Sequence, residues 1–193
     1  SYQTDPLASE RNRFGVGEPK NAVLGDVVYQ EIPWRAAVRD AIRHGRVPLW
    51  NPYQLCGEPL LAMMLPAVLH PFTWIGMLLP LPQAWTLEMT LGVFLALVSA
   101  FLFFRDLELS ELASAFGAAA WAFCDYLRFY AGWPLSPTAA AFPLLLLGLR
   151  RLARDRNFRA FALTSAALFL ILNAGHPESA LHAVAGGGIW FLF

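Results

Sequence analysis

Two short runs near the start of the chain, GDVVYQEIPWR from Gly25 and GRVPLWNPY from Gly45, gather the groups able to do chemistry. The first offers a carboxylate at Asp26, an amide at Gln30 and a second carboxylate at Glu31, followed by Trp34, Arg35 and Arg39. If the segment is helical, Asp26 and Gln30 share one face, four residues apart. Trp34, Val38, Ala41 and Ile42 then space an apolar stripe that ends at Gly45. That spacing predicts an amphipathic helix with a basic polar face, lying on a membrane surface or over a helical bundle. In the second run prolines brace a turn in which Asn51 supplies hydrogen bonds, while Trp50 and Tyr53 suit an aromatic interface belt. Strongly apolar sequence follows Gly57, so the pattern reads as a reactive loop mounted on a membrane bundle.

The elements that must position this loop are apolar. Of 193 residues, 57% are hydrophobic and 15% charged, against about 45–50% apolar and about 25% charged in soluble domains. Before Leu60, seven basic residues face seven acids, so the first region is locally neutral and lacks the basic footprint of a nucleic-acid binder. Cys56 and Cys124 have neither metal-ligand spacing nor a plausible mutual pairing and are expected to be free thiols. The chain opens at Ser1 and stops at Phe193 inside an apolar run, and both ends are expected to be cuts through a longer protein.

Spans of about 20 apolar residues are predicted over residues 84–104 and 110–131, and over 137–149 extended through Arg150 and Arg151. Residues 159–174 make a fourth, and 178–193 begin a fifth, in which glycines 186–188 mark close packing. Residues 60–79 are apolar but interrupted by Pro66, His70 and Pro71, which predicts two short interfacial or re-entrant helices. The expected fold is therefore all-α: a polytopic transmembrane bundle over 60–193 and a large extracytoplasmic loop with an amphipathic helix over 1–59. Orientation follows from Arg150, Arg151, Arg154, Arg156 and Arg159, whose short loop should be cytoplasmic. If 60–79 crosses the membrane, the first region is cytoplasmic instead. On the preferred topology Glu88, Asp125, Arg128, His176 and Glu178 all reach the side that holds the first loop, where charges mark a polar cavity. For Asp125 and Arg128, three apart, mutual neutralisation is the plainer reading, while for Glu88 ordinary solvation and a functional role stand level.

An Asp followed by a Gln and a Pro-aromatic pair, the amphipathic stretch, PLWNPY, the Gly57-to-Pro59 Gly-x-Pro, a Pro-rich apolar stretch and a later Gly-His-Pro turn together resemble the bacterial YfhO-type polytopic membrane proteins. These are counted among the GT-C-like glycosyltransferases, and the resemblance runs from about Gly25 to the end. It implies a multi-pass protein of the bacterial inner membrane that transfers a sugar from a polyprenyl-phosphate donor to a cell-envelope glycan or lipid acceptor outside the cytoplasm.

On that resemblance Asp26 maps as the general base that takes a proton from the attacking hydroxyl, with Glu31 as its substitute and a helix N-cap as the alternative for Asp26. Arg35 or Arg39 would bind the leaving phosphate, or else anionic lipid headgroups. Gln30 and Asn51 would hydrogen-bond substrate, and Trp34 and Trp50 would stack on sugar or prenyl chain, or anchor at the interface. His176 and Glu178 would line the acceptor side or hold a divalent cation, the one cofactor candidate, unless His176 is structural. His70 is a weaker candidate. A transporter or lipid flippase, and a non-catalytic membrane scaffold, are the competing readings. The flippase would show internal repeats at midplane, and the scaffold would ignore loss of Asp26.

Overall fold

The computed structural model describes residues 25–192, and the description that follows concerns these. Val27–Glu31 winds as a π-helical turn and runs directly into helix α1, Ile32–Arg43. Pro33 stands within this continuous helical run, at the passage from the π turn to α1, where its missing N–H leaves out one bond of the ladder. Trp34, Val38 and Ala41 form the buried face, as their spacing predicts, and Arg39 is buried with them. Gly45, with φ of 67°, turns the chain away from the helix end.

A two-residue antiparallel ladder follows, in which Trp50–Asn51 (β1) pairs with Glu58–Pro59 (β2). This short ladder is a local addition to a mostly helical fold. Gly57 makes the return possible, since its φ is 110° and a Cβ there would lie 2.6 Å from the Trp50 indole. Residues 60–70 pass through irregular turns into α2, Pro71–Gly76. The break foreseen in 60–79 is present, with one short helix in place of two. Pro66 offers no N–H, and Met64 and Ala67 adopt positive φ, so residues 60–69 form no regular helix.

α3, Leu81–Asp106, is the long element. The predicted span over 110–131 is instead two pieces, α4 (Glu111–Ala122) and α5 (Asp125–Phe129). Ser110 caps α4 by accepting the Ala113 N–H at 3.2 Å, while the extended backbone of Cys124 separates the two. Twelve residues of α4 reach only about 18 Å. α6 (Leu135–Asp155), α7 (Phe158–Leu172) and α8 (Pro177–Leu192) complete the chain. Pro137 sits in the first turn of α6, which is why that helix begins two residues before the predicted span.

α6 is the hub, packing on α3, α7 and α8, while α4 packs on α3. The contacts are made by small residues: Ala96, Ala100, Ala118, Ala140, Ala141, Ala167 and Ala180 are buried, with Ser99, Ser114 and Thr164. A Cβ on Gly148 would stand 2.9 Å from the Thr164 Cα, so only glycine admits so close an approach of α6 and α7. Of glycines 186–188, Gly187 faces Leu145 and Leu149 in this way, whereas Gly188 faces open space. Fully buried Ser99 donates to the Ala140 carbonyl at 2.6 Å, in the turn that Pro143 disturbs. Large apolar side chains point outward instead, among them Phe94, Leu112, Phe116, Phe158, Phe161 and Ile189. This inverts the usual soluble pattern. Among the described residues α3 alone is long and apolar enough to cross a membrane, and only 28% of its apolar window is buried.

Glu88 and Asp106 lie on α3 18 positions apart, about 27 Å along the axis. Asp106 accepts from Arg150 Nε at 3.0 Å and Arg151 Nε at 2.8 Å, with Arg154 at 3.6 Å. Glu88 is met by α1.

Candidate functional site

α1 crosses the start of α3 and brings Arg35 onto Glu88. Arg35 Nη2 lies 2.9 Å from Glu88 Oε2 and Nη1 3.2 Å from Oε1, a bidentate pair of side chains that are 12% and 18% exposed. Nη1 also donates to Thr73, and the guanidinium lies 5.9 Å from the Trp85 ring centroid. Gly76 leaves the room for this, since a Cβ there would lie 2.6 Å from Glu88 Oε1. One turn along α1, Arg39 donates to the carbonyls of Gly76 and Leu79, the first of which also accepts the Leu79 N–H at 3.0 Å. Arg39 thereby fastens α1 to α2.

The Arg35–Glu88 pair edges a recess of about 380 Å³, lined also by Glu31, His70, Trp85, Trp133, Pro134 and Ala174. His70 is 3% exposed and caps α2, its Nδ1 accepting the Phe72 N–H at 3.3 Å. A neutral imidazole that accepts at Nδ1 carries its proton on Nε2. Burial and the nearby Arg35 charge push the His70 pKa down to about 4, which keeps the ring neutral. Among the described residues, His70 Nε2, Arg35 Nε and Trp133 Nε1 are buried without a hydrogen-bond partner. Three residues that line one recess therefore carry N–H donors without acceptors, a costly arrangement unless a ligand that reaches them supplies these.

The acid of the recess is Glu31, 6% exposed. Burial pushes its pKa up to about 7, Arg35 one turn away opposes the rise, and Asp26 adds to it. A π-helical turn bonds each N–H five residues back. Glu31 turns inward here, while Asp26 and Gln30 remain exposed. Asp26 lies outside the lining, its backbone is helical, and its side chain makes no capping bond.

The other predicted site residues have local partners. Trp34 Nε1 donates to Gln54 Oε1 and Glu58 Oε1, both at 2.9 Å, which ties α1 to the β1–β2 turn. Asn51 Nδ2 donates to the same Glu58 oxygen at 2.9 Å, and Trp50 is exposed. His176 Nδ1 accepts the Ser179 N–H at the start of α8, and Glu178 is exposed. Their neighbour Ala174 does line the recess, because Gly175, with φ of 100°, packs 2.7 Å from the Leu65 carbonyl by its would-be Cβ. Among the described residues no three His, Cys, Asp or Glu side chains converge as a metal site, and no ion pair joins the exposed Asp125 and Arg128. Cys56 and Cys124 are free.

Sequence reasoning undervalued Glu31, His70 and Glu88 and passed over Trp133. An acid inside an apolar run and a His-Pro pair at a helix start were the available signals. Trp133 offered none. Compared with models of known families, with curated proteins and with solved structures, the chain matches none.

Proposed function

We propose that this chain is a GT-C-like glycosyltransferase of the YfhO type, embedded in the bacterial inner membrane with its first loop outside the cytoplasm. It would transfer a sugar from a polyprenyl-phosphate donor to a cell-envelope acceptor, in the recess between α1 and α3. The membrane reading is supported by small residues inside and large apolar ones outside, a pattern suited to lipid. α3 and α6, about 39 and about 32 Å long, match the bilayer core of about 30 Å. The arginines around Asp106 lie at the end of α3 away from the recess, as cytoplasmic arginines would.

The observation that carries the transfer reading is the set of three unpartnered N–H donors around a buried carboxyl. A phosphodiester supplies acceptor oxygens and a single negative charge. In the proposed step an acceptor hydroxyl attacks the anomeric carbon and loses its proton to Glu31. The bond from that carbon to the phosphate oxygen breaks, and its electron pair leaves with polyprenyl phosphate, whose oxygens accept from Arg35 Nε, His70 Nε2 and Trp133 Nε1. A carboxyl with pKa of about 7 suits a base at neutral pH. Asp26, the base suggested by the resemblance, would act through Glu31 by raising its basicity. Turnover of radiolabelled polyprenyl-phosphate sugars by the full-length protein in membranes, wild type beside Glu31→Gln and Asp26→Asn, tests this. Loss with Glu31→Gln and retention with Asp26→Asn is the expected result. Failure of the wild type to consume any donor overturns it.

A further inference from the structure

A second cavity, of about 370 Å³, lies behind the recess across buried Leu127, which lines both. Its walls come from the α4–α5 break, α6 and α8, and Leu135, Ala139, Phe142 and Ala183 make them apolar. Two buried polar atoms belong to residues of this lining and have no partner among the described residues: Trp121 Nε1 and Thr138 Oγ1. Thr138 is only 2% exposed. An indole N–H can only donate, whereas a hydroxyl can donate or accept. Among the described residues no Asp, Glu, Lys or Arg lines the cavity, and Ser179 and His182 are its further polar members.

What fits is therefore an uncharged molecule with an apolar body and at least one good acceptor oxygen. A free sugar would leave the apolar walls uncovered, and a phosphate would meet no permanent cation, only the imidazole of His182. Trp121 and Tyr126 are residues that favour the depth where a bilayer turns from headgroup to hydrocarbon, which is where lipid ester carbonyls lie. We propose that this cavity binds the ester region of a neutral glycerolipid, with carbonyl oxygens taking hydrogen bonds from Trp121 Nε1 and Thr138 Oγ1. The site rests on the membrane reading above and is independent of the transfer chemistry.

The full chain, purified in detergent, is incubated with radiolabelled diacylglycerol or with the dialkyl ether that lacks its carbonyls, and the lipid carried through gel filtration is counted. Wild type should retain the ester over the ether. Trp121→Phe with Thr138→Val removes both donors and should lower retention of the ester relative to the ether by about tenfold, a ratio that the smaller ring at 121 does not itself change. Equal retention by wild type and double variant, or of ester and ether, overturns the site. Thr138→Val alone, lipid-free, should melt no lower than wild type, since it replaces an orphaned hydroxyl by a methyl. A clear fall in Tm would show that the hydroxyl has a protein partner and would also overturn it. Cell fractionation reads the membrane assignment separately: a membrane-bound wild type that retains no diacylglycerol sinks this site alone, and a wild type absent from membranes sinks both.

Discussion

The two ends of α3 carry the same chemistry, a largely enclosed carboxylate met by arginine, but the arginines stand in opposite surroundings. At Asp106 the arginines are half exposed, 36% for Arg150 and 40% for Arg151, and water reaches the guanidinium groups. At Glu88 the single arginine is enclosed, with Thr73 and Trp85 against it and unpartnered donors beside it. Solvent screening makes the first cluster an adaptable anchor. Loss of solvent makes the second a poised one, because a buried charge without its partner has nowhere to turn. Ion pairs alone do not mark a site; what marks it is polar capacity left unused in a place water hardly reaches.

The largest effect that sharpens this contrast is on turnover. Glu31→Gln should lower sugar transfer by about 10²–10⁴-fold, the usual range for a general base, with the protein still folded and membrane-bound. Removal of one arginine at Asp106, as in Arg151→Met, should leave turnover near wild type, because the other two still face the carboxylate. Stability separates the ends next. Arg35→Met strands Glu88 and should cost about 3–5 kcal/mol, most of it recovered by adding Glu88→Gln in a double-mutant cycle. Arg151→Met should cost less than about 1 kcal/mol, since Arg150 and Arg154 still face Asp106. Equal thermal losses at both ends would erase the distinction.

A smaller effect tests the orphaned donors themselves. Trp133→Phe keeps the ring and removes Nε1, so donor KM should rise by several-fold, about the worth of one hydrogen bond, while Tm holds. A lower Tm with unchanged kinetics would make Trp133 structural. The finest effect is a shift in pH dependence. Turnover should climb as pH passes about 7 and Glu31 ionises. Stability should run the other way: with its pKa raised on folding, Glu31 contributes most below about 4.5 and loses that contribution as pH rises through about 7. Asp26→Asn removes a neighbouring negative charge and should move the turnover midpoint toward acid. An unmoved midpoint would uncouple Asp26 from Glu31.

Much of the fold was legible because its causes are local. The apolar stripe of α1, the proline-broken course of 60–79, the apolar lengths of α3 and α7 and the Ser110 cap all follow from residues within a turn or two. What was missed was local as well: the break at Cys124 and the β1–β2 ladder depend on backbone turns that composition does not mark. The site was less legible. Gln30, Trp34 and Asn51 were chosen by type, yet Trp34 and Asn51 bond to Glu58 and Gln30 faces solvent. A residue's chemistry is readable in sequence, but whether a protein neighbour has already satisfied it is not.

By itself the sequence determined the helical, apolar character of this protein, the small-residue content that lets its helices meet closely, and a polar first region rich in acid, amide, arginine and tryptophan. Tertiary structure alone decided which of those polar groups matter together. It set Arg35 on Glu88 across 53 positions of chain, brought His70 and Trp133 to the same recess, and turned Glu31 inward while Asp26 stayed in solvent. The physical reason is that burial and hydrogen-bond satisfaction belong to the folded neighbourhood of a residue, and that neighbourhood is assembled from segments far apart in sequence.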